Sequence, residues 1–105
     1  MIWIKKITNM KFHLSKKAHS DLMKIGRYTQ LNWGQQQRND YLKLLDSAFN
    51  QIAEEPELGY VSDYIREGYR KRPQGSHVIY YKEFGKEEVV IIRVLHKSMD
   101  VHRAL

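Results

Sequence analysis

Tyr69-Arg70-Lys71-Arg72-Pro73-Gln74-Gly75-Ser76-His77-Val78-Ile79-Tyr80-Tyr81-Lys82, followed by Glu88-Val89-Val90-Ile91-Ile92-Arg93-Val94-Leu95, decides how this chain folds. The first four residues read as a short strand stopped by Pro73, which has no amide to give a ladder. Gln74-Gly75-Ser76 supplies a turn, because Gly reaches the positive φ that tight turns need. Residues 77–82 are β-branched and aromatic, the composition of a second strand. Residues 84–87 turn the chain again, and residues 88–95 form a third strand apolar on both faces, as a central strand is. Alternation puts Val90, Ile92 and Val94 on one face and Val89, Ile91, Arg93 and Leu95 on the other. Arg93 is therefore expected to point away from the covering layer. Residues 69–105 thus read as a basic antiparallel meander ending in a turn or short helix.

Such a sheet needs a cover, and the preceding residues provide it. Lys11-Phe12-His13-Leu14 reads as a first strand, and Ser15 stands where a helix N-cap belongs. Ala18, Leu22, Ile25 and Thr29 then recur at helical spacing up to Gly34, a suitable helix stop. A second helix is predicted over residues 36–53, with Tyr41, Leu45, Ala48, Phe49 and Ile52 on one face and Pro56 and Gly59 closing it. The short link at Gly34 predicts an antiparallel helical hairpin. The expected fold class is α+β, in the order β-α-α-β-β-β, with the hairpin packed on a twisted antiparallel sheet. Residues 11–105 are expected to be a single domain. Residues 1–10 are expected to be an N-terminal extension and a flexible arm, and Met10 is a candidate start.

The chain has 105 residues, no Cys and a formal charge of +6. Without Cys there is no disulfide or thiolate site, which fits a reducing cytoplasm, the expected location. The longest apolar run is far short of a membrane span. Met1-Ile2-Trp3-Ile4 before Lys5 and Lys6 is too short for a signal peptide. Charge is unevenly spread: the N-terminal stretch is basic, residues 44–65 carry five acids and no Lys or Arg, and cations return from Arg66 onward. That field favours an acidic partner, either nucleic acid or an acidic protein segment.

Candidate chemistry is sparse. Glu54-Glu55 point apart on a helix and Glu87-Glu88 sit at a turn, so neither pair makes an acid–base couple. The histidines (His13, His19, His77, His96, His102) show no metal-binding spacing, so neither metal nor cofactor is expected. His96 lies just past the last strand between Arg93 and Lys97, where an imidazole can serve as acid or base, or simply bond a carbonyl. No serine sits in a nucleophile elbow, and the glycines are too dispersed for a phosphate loop. Arg70 and Arg72 share one face of their strand, with Tyr69 and Lys71 on the other. Such a surface binds phosphate or carboxylate, or protects a sheet edge from aggregation.

An ordered set of residues resembles the ParE branch of the RelE/ParE superfamily of type II toxin–antitoxin toxins. It comprises Leu14-Ser15 with Ala18 and Asp21-Leu22, Ile25 with Tyr28-Thr29, Trp33-Gly34, and Tyr41 with Leu45 and Phe49. It continues with Ala53, Pro56 and Gly59, Ile65-Arg66 with Gly68-Tyr69-Arg70, Gly75 through Tyr81, and Ile92 through His96 with Met99-Asp100. The resemblance implies a toxin that inhibits DNA gyrase and blocks replication without being an enzyme. It also implies neutralisation by a ParD-like antitoxin, with operator DNA bound through the antitoxin and not by the toxin alone. The target-binding surface is expected around Arg66, Arg70, Arg72, Arg93, His96, Met99 and Arg103. Antitoxin contacts are expected at Leu22, Ile25, Tyr28 and Trp33. The alternative on the same fold is a RelE-like ribosome-dependent mRNA endonuclease using Arg70, Arg72, Arg93 and His96, for which no general base is evident. An inactive homologue that only titrates antitoxin is the third class.

Overall fold

The computed structural model describes residues 11–105, so the expectations for residues 1–10 fall outside the described residues. The chain runs β1 (Lys11–Leu14), α1 (Lys16–Trp33), α2 (Gln35–Glu54), a 3-10 turn (Pro56–Leu58), β2 (Tyr60–Val61), β3 (Tyr69–Gln74), β4 (His77–Phe84), β5 (Glu88–His96) and α3 (Val101–Ala104). The Ser15 hydroxyl caps α1 by accepting from the Ala18 amide at 2.9 Å and donates to the Ile92 carbonyl at 2.7 Å. One side chain thus starts the helix and ties it to the sheet. Gly34, at φ 94°, links α1 to α2 in a conformation that a Cβ would strain.

The sheet order is β1-β5-β4-β3-β2. Strands β3 to β5 are antiparallel, as expected of the meander; β2, a two-residue strand that the expected order lacks, adds antiparallel to β3, whereas β1 pairs parallel with β5. A strand reached through two helices need not turn back on its neighbour, so the crossover permits the parallel pairing. Pro73 does not end β3, which continues to Gln74. By then β2 has stopped, so the outer edge of β3 is unpaired there and a missing amide costs nothing.

The main core lies between hairpin and sheet. It joins Ala18 and Ile25 of α1, Leu45, Ala48, Phe49 and Ile52 of α2, and Ile79, Tyr81, Val89, Ile91 and Val94 of the sheet. Phe12 stacks at a tilt on Phe49, with centroids 5.3 Å apart, closing the β1 side. The strict alternation expected along β5 fails. Tyr80 pairs with Arg93 but Tyr81 with Ile91, so Ile92 is an extra residue in the ladder. This bulge shifts the parity, and the core takes Val89, Ile91 and then Val94. Tyr80, flanked by the core-facing Ile79 and Tyr81, is buried on the reverse face. Tyr64 and the terminal helix gather on that side, with the Lys71 ammonium 3.1 Å from the Tyr64 hydroxyl and the His102 ring 6.3 Å from the Tyr64 ring.

Candidate functional site

The second half of α1, the first turns of α2 and the adjoining ends of β4 and β5 enclose a cleft of about 640 Å³. Ile25, Val94 and Leu95 give it an apolar floor, Tyr28, Trp33 and Met99 an exposed rim, and Tyr41, Ser76, His77 and His96 a polar wall.

The wall begins with an ion pair. Arg93 donates from Nε to Asp21 Oδ2 at 2.8 Å and from Nη2 to Asp21 Oδ1 at 2.9 Å, and its Nη1 bonds the Ala104 carbonyl. Asp21 Oδ2 also accepts from the Val94 amide at 3.0 Å, which satisfies the edge of β5 beyond the reach of β1. Asp21 is buried at 7% exposure, and bidentate charge-assisted bonds hold it there. The same carboxylate raises the pKa of Arg93. Arg93 leaves β5 opposite the core residue Val94 and beside Tyr80, as expected, but its guanidinium turns back to Asp21 of α1 instead of pointing away from the helices.

Tyr41 builds the next part. Its hydroxyl accepts from the Ser76 amide at 3.0 Å, lies 3.4 Å from the Gln74 carbonyl, and shares a 2.6 Å hydrogen bond with His77 Nδ1. Gly75 makes this approach possible. It sits at φ 59°, and a Cβ there would stand 2.7 Å from the Tyr41 hydroxyl. Burial raises the Tyr41 pKa, so the phenol stays protonated. Burial foremost, and then neighbouring His96, lowers the pKa of His77, with Asp21 opposing, so its ring favours the neutral form. His77 and His96 are direct cross-strand partners and meet edge to face, centroids 5.5 Å apart. His96 Nδ1 in turn lies 2.7 Å from Ser98 Oγ.

The residues named for target and antitoxin contact distribute as follows. Arg93, His96 and Met99 line the cleft together with Ile25, Tyr28 and Trp33, while Leu22 packs on the main core. Arg70 and Arg72 lie on β3. Arg70 donates to the Glu57 and Gly59 carbonyls, and Arg72 to the side chains of Gln51 and Gln74. Arg66 is exposed before β3, and Arg103 is exposed on α3. Sequence reasoning misses Asp21, Tyr41 and His77 as site residues. Asp21 carries a usable signal, since it lies between Ala18 and Ile25 on an apolar stripe, where a carboxylate requires a partner. Tyr41 carries a weaker one, because a buried phenol needs a hydrogen bond.

The family model described as ParE toxin of type II toxin-antitoxin system, parDE, matches residues 12–101. A relative named Toxin ParE1 from Caulobacter vibrioides is 39% identical over 94 residues, 90% of this chain and 96% of its own. Another Toxin ParE1, from Mycobacterium tuberculosis, is 39% identical over 95 residues, 90% of this chain and 97% of its own. A chain in the solved structure of the chromosomal ParDE TA system from P. aeruginosa superposes with a TM-score of 0.72, covering 84% of this chain and 96% of that chain. At 16% identity that likeness shows a shared fold.

Proposed function

This chain belongs to the ParE toxin family of type II toxin–antitoxin systems, and from that premise we propose that it inhibits DNA gyrase and is held inactive by a ParD-like antitoxin. It acts by binding and not by catalysis. The supporting observation is the state of its guanidiniums: Arg93 is clasped by Asp21, and Arg70 and Arg72 bond the protein's own carbonyls and amides. A ribonuclease needs such groups free to stabilise a phosphorane, and needs a base beside the ribose hydroxyl. The family name and the net charge of +6 favour an antitoxin with an acidic segment. Its seat in this reading is the cleft, where Ile25, Tyr28 and Trp33 offer apolar contact, with Leu22 beneath. Gyrase is met through Arg66, Arg103 and the polar groups of β3 and the cleft rim. Operator DNA is bound through the antitoxin, and the setting is the cytoplasm. Among the described residues, no helix is long and apolar enough to cross a membrane.

The test is a supercoiling assay with purified toxin, gyrase, relaxed plasmid and ATP. Supercoiling should fall with rising toxin and recover when the antitoxin is added. Undiminished supercoiling at excess toxin rejects the gyrase reading. Codon-specific mRNA cleavage in a translation reaction, lost in His96→Ala, establishes the endonuclease instead.

A further inference from the structure

The two edges of the sheet are defended differently. At β1 the exposed side chains are Lys11 and His13, and charge of this kind keeps an edge strand from pairing with another chain. At β2 the exposed side chains are Tyr60 and Val61, with neither charge nor Pro, and Leu58 and Tyr64 stand exposed on either side. We propose that β2 pairs antiparallel with β2 of a second copy of this chain, about a two-fold axis at Val61, so that two sheets join into one.

The free backbone of β2 has the phase this pairing needs. The Ser62 amide donates to the Tyr69 carbonyl at 2.8 Å and so faces β3. Backbone groups of successive strand residues face opposite sides, so those of Tyr60 also face β3 and those of Val61 face outward. Among the described residues, no backbone bond of a turn or loop reaches the Val61 amide or carbonyl. Val61 residues related by the axis can therefore exchange both N–H···O bonds, the closely spaced pair of an antiparallel ladder.

Side chains fall into place under the same operation. Tyr60 shares a face with its partner Lys71 and with Tyr80, and Tyr64 lies on that face because its hydroxyl meets the Lys71 ammonium at 3.1 Å. The axis keeps the Tyr60 and Tyr64 rings of both copies on one side of the joint and the two Val61 side chains on the other. Apolar surface left open in one copy is thereby covered by the same surface of its mate, as an isologous contact requires.

Charge is self-complementary too. Glu57 precedes β2 and Arg66 follows it; both are exposed, and among the described residues neither forms an ion pair. Antiparallel pairing lays the segment before β2 of one copy along the segment after β2 of the other. Glu57 of each copy then falls beside Arg66 of the other. Exposed pairs add little affinity, so their part is to fix direction and register. A joint this short makes a reversible dimer, favoured at high concentration. None of these residues lines the cleft. The pairing does not rest on the toxin reading, although Arg66 belongs to the proposed gyrase contact, so a second copy and gyrase compete for it.

The test is sedimentation velocity on the full, tag-free chain from micromolar to millimolar concentration. The sedimentation coefficient should rise from monomer to dimer and stop there, because a two-fold joint closes on itself. Val61→Pro removes the outward amide but no bond to β3, and should weaken the dimer by about ten-fold or more, the worth of two hydrogen bonds. Arg66→Glu should also weaken it, and adding Glu57→Lys should restore it, because the exchange re-forms both ion pairs with opposite sign. A monomer at every concentration overturns the proposal, as does growth past the dimer. A dimer unchanged in Val61→Pro, or one that Glu57→Lys fails to restore in Arg66→Glu, overturns the pairing at β2.

Discussion

The cleft and the outer edge at β2–β3 are both basic and aromatic, yet their polar groups are used differently. At the edge, Arg70 reaches the Glu57 and Gly59 carbonyls and Arg72 reaches Gln51, so these cations pin the segment that leads from α2 into β2. Around them Leu58, Tyr60, Val61 and Tyr64 stand exposed. In the cleft the polar groups come from four elements far apart in the chain, and one of the pairs is buried. Asp21 and Arg93 join α1 to β5, and Tyr41 joins α2 to the β3–β4 turn and to His77. Local cation density therefore marks a stapled edge, whereas the prepared site is marked by long-range polar partnerships. The same contrast predicts where a substitution acts globally and where only locally.

The largest effect should come from the ion pair. Asp21→Ala leaves a part-buried guanidinium uncompensated and an orphaned Val94 amide, and should cost about 3 kcal/mol in denaturant unfolding. The double change Asp21→Leu with Arg93→Met should cost clearly less than the sum of the singles, because no lone charge remains buried. Arg70→Ala at the edge should cost less, about 1.5–3 kcal/mol and toward the lower end because the bonds are exposed or only part-buried, the range of hydrogen bonds involving a charged group. Equal losses in Asp21→Ala and Arg70→Ala would erase the distinction between the two regions.

Next come the turns. Gly75→Ala meets two penalties, a positive φ and the Tyr41 hydroxyl, and should cost about 2–3 kcal/mol. Gly85, in the β4–β5 turn at φ 72°, has nothing within 4 Å of the place a Cβ would occupy. Gly85→Ala should therefore cost only about 1 kcal/mol of backbone strain. Thermal unfolding of the two variants separates packing at the cleft from conformational strain alone.

The reach of sequence reading follows the same division. Both long helices, the Ser15 cap and the β3–β4–β5 meander are legible, because each is set by local periodicity and turn chemistry. Pro73 misleads, since its tolerance depends on where β2 stops. The β5 bulge is invisible, because an apolar run on both faces carries no parity, and so simple alternation groups Val89 and Ile91 with Arg93, whereas the fold groups them with Val94. Asp21 and Arg93, and likewise His77 and His96, are partners only through the fold, and no spacing rule joins them. His96, Tyr28 and Trp33 stand out by exposure-prone position, and they do line the cleft; that Tyr41 and His77 join them is visible only in three dimensions.

A smaller effect should appear with pH. The folded state lowers the proton affinity of His77, so the unfolded chain binds that proton first as pH falls. Stability contributed by neutral His77 is therefore complete above the ordinary histidine pKa of about 6.5 and declines as pH drops from there toward the lower folded value. Melting temperatures measured from pH 8 to pH 5 should show this decline, and His77→Gln should flatten it. An unchanged slope in His77→Gln would mean that other groups govern the acid limb.

The smallest change in stability belongs to the cleft rim. Trp33 is 70% exposed and Tyr60, at the sheet edge, is 65% exposed, so alanine at either should alter stability by no more than about 0.5 kcal/mol. Binding should separate them. If the antitoxin seats in the cleft, Trp33→Ala removes a rim aromatic of the kind that anchors interfaces and should weaken antitoxin affinity by ten-fold or more. Tyr60→Ala should leave that affinity within about two-fold, because its neighbourhood is a staple and lies outside the proposed seat. Calorimetric titration with the cognate antitoxin reads both variants directly. A larger loss in Tyr60→Ala would move the antitoxin to the β2 edge, leaving the cleft to the gyrase-facing groups.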